Sequence, residues 1–130
     1  MTNPQLALLI LRLGLGVNML MHGLTRIFNL GSFAEKMASG FTETVLPEPL
    51  VLAMGYFIPV AELLIGLLIL SGFWLRWAVF AGGLLMAMLL FGTTLKQDWG
   101  TAGSQMIYVL CFYFLLRHLP EKPENGRDSR

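Results

Sequence analysis

Four ionisable side chains interrupt otherwise apolar stretches of this sequence: Arg12, His22 and Arg26 in the first stretch, and Glu62 in the second. A charged group in hydrocarbon is costly and normally faces a protein interior or a water-filled cavity, so each is a functional candidate. Arg12 lies about seven residues, or about 10 Å, from the inner end of its helix. Glu62 lies about 18 Å from the outer end of the next helix, which leaves it about 12 Å from the inner side of a core about 30 Å thick. Similar depth on adjacent antiparallel helices predicts an Arg12–Glu62 pair. Such a pair could relay a proton or hold an anion. It could equally be a structural clamp that neutralises both charges and fixes helix register. Pro59, three residues before Glu62, frees a backbone carbonyl nearby.

A second group is expected nearer the outer face. His22 and Arg26 are four residues apart and share one face, with Asn18 one turn below. Lys96 ends the third apolar stretch, Gln105 opens the fourth, and Tyr56 projects from the second at a similar level. Together these six residues would form an outward pocket with basic donors, suited to a small anion or to quinone carbonyl oxygens. The alternative is interfacial snorkelling by Arg26 and Lys96, with His22 satisfying a carbonyl.

The elements that must position these groups are membrane-spanning helices. Of the 130 residues, 55% are hydrophobic and 13% charged, and the mean hydropathy is +0.66. Soluble domains average about 25% charged residues, and a small soluble fold could not hide so much apolar surface. A span needs about 20 apolar residues, and four segments fit, at about 5–28, 50–71, 75–95 and 101–116. The expected architecture is all-α: an integral membrane four-helix bundle with a short amphipathic helix between spans one and two. In that loop Phe33, Met37, Phe41 and Val45 recur every four residues, Ser32 and Glu35 have capping-box spacing, and Pro47 and Pro49 stop the helix. The first span lacks an early basic cluster and a small-residue cleavage site, so it reads as retained rather than cleaved. Residues 1–119 would be the membrane domain, and 120–130 a disordered cytoplasmic tail.

Arg76, Arg117, Lys122, Arg127 and Arg130 fall on one side of the bilayer, against Arg26, Lys36 and Lys96 on the other. That asymmetry predicts both termini in the cytoplasm. The formal charge is +1 with no concentrated basic face, which argues against a nucleic-acid partner. One cysteine, Cys111, and two histidines encode no disulfide framework and no metal box. No prosthetic group is encoded, so electron transfer through the chain would need a bound quinone or a partner protein.

Span one reads LRLGLGVNMLMHGLTRIF, and span two with its turn reads PVAELLIGLLILSGFWLRWA. Both resemble the DoxX/DoxD-like family of small four-helix bacterial membrane proteins. The resemblance rests on Arg12, Gly14, His22, Gly23, Glu62, Gly66, Gly72 and Arg76, with Arg26 standing where that family commonly has lysine. It implies a multi-pass protein of the bacterial cytoplasmic membrane tied to redox chemistry. DoxD-type members form part of a thiosulfate:quinone oxidoreductase, and others are linked to sulfur and radical detoxification through soluble partners. The short chain is expected to carry no extra domain, a departure from the thiosulfate enzymes, which use a second subunit. The leading expectation is therefore a membrane component of a redox system, with a quinone or small sulfur-containing anion in the outward pocket. Two alternatives stand beside it: a non-catalytic anchor or assembly factor for a soluble oxidoreductase, and a small transporter or channel formed by a homo-oligomer.

Overall fold

Thr2 starts the first helix, accepting a hydrogen bond from the Gln5 N–H while the Gln5 side chain accepts one from the Thr2 N–H. In the computed structural model, which describes residues 1–121, five helices follow: α1 (Asn3–Ile27), α2 (Leu30–Ser39), α3 (Glu48–Ser71), α4 (Leu75–Leu95) and α5 (Trp99–His118). The tail expected to be disordered lies, from residue 122 onward, outside the described residues. The four long helices have the length and apolar character needed to cross a membrane.

Two antiparallel pairs, α1 with α3 and α4 with α5, close into a bundle through thinner seams of α3 with α4 and α1 with α5. Leu15, Met19, Ile58, Ile65, Ile69, Val79, Phe112 and Leu115 fill the centre. Large side chains such as Ile10, Leu67, Leu84 and Ile107 are exposed on the outside of the bundle, as expected where the surrounding solvent is lipid.

Glycines set the α1–α3 register. A Cβ at Gly23 would stand 2.6 Å from the Pro59 carbonyl oxygen, and one at Gly66 would stand 2.6 Å from Leu20 Cα. Only backbone-to-backbone contact fits there. The turn into α4 uses Gly72 at φ 80°, and Trp74 at φ 50° follows.

The short second helix corrects two expectations. It begins at Leu30, so Ser32 lies inside it and no Ser32–Glu35 box forms; Asn29 occupies the cap position without a side-chain bond. Its buried residues are Ala34 and Ala38, because α2 folds against α3, with Ala34 Cα where a Cβ of Gly55 would lie. Phe41 and Val45 fall beyond it, Phe41 buried and Val45 exposed. Pro47 and Pro49 open α3, at the cap and in the first turn, where a missing N–H costs nothing.

Candidate functional site

Glu62 is 3% exposed, and its Oε1 accepts a hydrogen bond from Nη1 of Arg26 at 2.9 Å. It is the only ion pair among the described residues, and it replaces the expected Arg12–Glu62 pair. Arg12 instead reaches the last turn of α3, where its Nε donates to the Ile69 carbonyl at 2.8 Å and its Nη2 to the Leu70 carbonyl at 3.2 Å. Those carbonyls lack intrahelical partners and carry the negative end of the helix dipole, so a guanidinium fits there without a carboxylate. The physical reason for the difference is register. Gly16 lies against Leu70, Gly66 against Leu20, and Gly23 against Pro59 and Leu63. Glu62 therefore meets the Gly23–Arg26 turn of α1, and Arg12 falls level with Gly72.

Above the pair opens a cavity of about 420 Å³ lined by all five helices and the loop after α2. Its walls are mostly apolar, with Phe33 and Met37 of α2, Phe41, Met54, Ile58 and Met88 prominent. Its polar groups are few: Arg26, Lys96, Thr93 and Gln105. The Arg26 guanidinium lies 4.5 Å from the centre of the Phe33 ring, and Lys96 Nζ lies 5.0 Å from that of Phe41. Both cations are thus held beside aromatic faces, an arrangement with an electrostatic gain of its own. Gln105 Oε1 is buried without a hydrogen-bond partner among the described residues. Leaving such an atom unpaired costs about 1–3 kcal/mol.

Of the six residues expected in an outward pocket, Arg26, Lys96 and Gln105 line this cavity. The other three do not. Asn18 donates from Nδ2 to the Tyr108 hydroxyl at 2.9 Å and ties α1 to α5. His22 is exposed on the bundle surface, with Nδ1 2.8 Å from the Asn18 carbonyl oxygen. Tyr56 is exposed beside Gly31. Sequence reasoning missed the aromatic and methionine walls: the Phe33–Met37–Phe41 row was visible, but its apolar face reads as lipid-facing until α2 is seen folded over the bundle. At the start of α5, Asp98 caps the helix by accepting from the Thr101 hydroxyl at 2.7 Å and from its N–H at 3.3 Å. These two bonds, the hydroxyl's first, hold the Asp98 carboxyl below the usual carboxylate range. No group of three or more His, Cys, Asp or Glu side chains poised for a metal occurs among the described residues.

Comparison with curated proteins and with solved structures finds no match. The DoxX family model matches residues 7–95, well over half of the chain and a stretch that contains Arg12, Arg26, Glu62 and the four glycines of the α1–α3 crossing and its turn. With four apolar helices of spanning length, the chain is a multi-pass membrane protein that belongs to the DoxX family, a family associated with redox systems.

Proposed function

We propose that the cavity over the Arg26–Glu62 pair receives the head group of a quinone or quinol, making this chain the quinone-binding membrane component of a redox system. The observation that carries this reading is the unpaired Gln105 Oε1 in a cavity that also holds Arg26 and Lys96. A quinol hydroxyl would donate to Gln105 Oε1, while Arg26 or Lys96 would donate to a ring oxygen. The apolar walls suit a ring and its methyl groups, in keeping with small-molecule sites that combine apolar lining with a few placed polar groups. A small sulfur-containing anion finds less support, since it would trade its water for methionine and phenylalanine side chains. A bound quinone would supply redox chemistry, and the chain's own residues would bind and orient it. Glu62 fixes the Arg26 guanidinium, so that its remaining N–H groups meet the ligand from a defined direction.

The reading extends to a bacterial cytoplasmic membrane with both termini inside, which reporter fusions at each end would test. It also leaves room for a redox partner or a second copy of the chain. The direct test is titration of the purified protein in detergent with a short-chain quinone analogue, followed by fluorescence or calorimetry. Saturable binding weakened in Arg26→Gln and in Gln105→Leu is expected. Binding unaffected by both changes would overturn it in favour of an anchor or assembly role, which pull-down of a soluble oxidoreductase would reveal.

A further inference from the structure

The opposite end of the bundle carries a second, larger cavity of about 1110 Å³. It lies where the C-terminus of α3, the N-terminus of α4 and the exit of α5 meet, and its lining includes Arg12, Arg76, Trp74, Trp77, Ser71 and Gly72. Among the described residues, both charged groups in the lining are arginines. Glu121 follows Pro120 at the rim but stays outside the lining. Neither arginine forms an ion pair among the described residues. Arg12 spends Nε and Nη2 on α3 carbonyls, and a Cβ at Gly72 would stand 2.7 Å from its Nη2. The absence of a side chain at Gly72 is thus what lets this guanidinium lie along the turn. Arg76 lies over the Trp77 ring, 5.3 Å from its centre, and makes no side-chain hydrogen bond within the described chain. Trp74 holds a left-handed backbone at φ 50°, a cost of about 1–2 kcal/mol for a residue with a Cβ. That geometry places its ring against Phe73, centre to centre at 4.8 Å.

With Nε and Nη2 of Arg12 committed to the α3 carbonyls, Nη1 of Arg12 and the Arg76 guanidinium are left as N–H donors without a partner among the described residues, and arginine's planar fork matches the oxygens of phosphate. Exposed Trp74 and Trp77 mark the depth at which aromatic side chains meet lipid head groups. We infer that the Arg12–Arg76 basin is a phosphate-binding site, distinct from the quinone cavity and independent of it. At that depth the phosphate is supplied by the phosphodiester of an anionic phospholipid or by a soluble phosphate from the adjoining aqueous phase.

Native mass spectrometry of the purified full chain tests this, titrating phosphatidylglycerol against phosphatidylcholine of the same acyl chains. A parallel thermal-shift series uses inorganic phosphate. Phosphatidylglycerol should bind about fivefold more tightly than phosphatidylcholine, and Arg76→Gln should remove that preference. A factor of five corresponds to about 1 kcal/mol, the size expected of one basic residue at an anionic surface. Arg76 is exposed, so this variant should insert and fold normally. Arg76→Lys should keep part of the preference, and Lys36→Gln, on α2 at the other end, should keep all of it. Stabilisation by inorganic phosphate that depends on Arg76, without lipid preference, would assign the soluble source. Equal binding of both lipids together with no Arg76-dependent phosphate effect would overturn the site.

Discussion

Breaking the Arg26–Glu62 pair should be the most damaging single polar change in the bundle. Glu62 is almost fully buried and Arg26 about one-third exposed, with 2.9 Å between the bonded atoms. At an effective dielectric near 20, charges about 4 Å apart attract by about 4 kcal/mol. Removing one member of a buried pair costs about 3–5 kcal/mol, because the other charge is stranded. Partial exposure of Arg26 places Arg26→Gln near the lower end, about 3 kcal/mol. The double variant Arg26→Gln/Glu62→Gln should regain much of that loss, since no uncompensated charge remains. Arg12 provides the contrast. It binds at Ile69 and Leu70, and Ile69 lies seven residues, or about 10 Å, beyond Glu62 along α3. Arg12→Gln and Glu62→Gln should therefore add within about 0.5 kcal/mol. Equilibrium unfolding in mixed detergent micelles, applied to the three single and two double variants, measures both couplings. Strong coupling of Arg12 with Glu62, or additivity of Arg26 with Glu62, would refute the register derived from the glycine contacts.

Other outcomes are equally specific. Gly23→Ala should lower stability by about 1–3 kcal/mol in the same unfolding assay, because its new methyl meets the Pro59 and Leu63 backbone, which cannot swing aside. Gly14→Ala, with nothing within 4 Å of its Cβ position, should be neutral or slightly stabilising. Gln105→Leu should leave the ligand-free protein as stable or up to about 1 kcal/mol more stable, since it removes an unpaired acceptor. The same change should weaken quinone-analogue binding by about fivefold, so stability and affinity move in opposite directions. Asp98 has a folded pKa below its unfolded value. Its cap therefore contributes fully above the ordinary carboxylate range and is lost as pH falls through the folded value. The protection of the Thr101 amide, its exchange rate set against the intrinsic rate at each pH, should fall at acidic pH in the wild type and stay constant with pH in Asp98→Asn.

How far the sequence could be read depended on which physical quantity each step required. Span positions need only a one-dimensional match between apolar length and bilayer thickness, and α3 and α4 end at Ser71 and Leu95, where the expected spans end. Which charges meet needs the axial offset of two helices, and hydropathy holds no information about it. Measured from the span ends, Arg12 and Glu62 come out level only if those ends are level, and they are not. The glycine contacts put Gly16 of α1 against the last turn of α3, so α1 runs on for about three turns beyond the end of α3. That offset carries Arg12 away from Glu62 to the α3 carbonyls and brings Arg26 down to Glu62 from what looks in sequence like an interfacial position. The informative signal was present in the small residues rather than in the charged ones. Gly16 and Gly23 are seven apart on α1, and Gly66, between Glu62 and the α3 terminus, is the one position in that stretch of α3 where a backbone can approach. Aligning Gly66 with the turn between Gly16 and Gly23 puts Glu62 beside Gly23 and Arg26 and leaves Arg12 at Gly72. For apolar bundles of this kind, close-contact glycines set the register first, and the partners of buried charges follow from it.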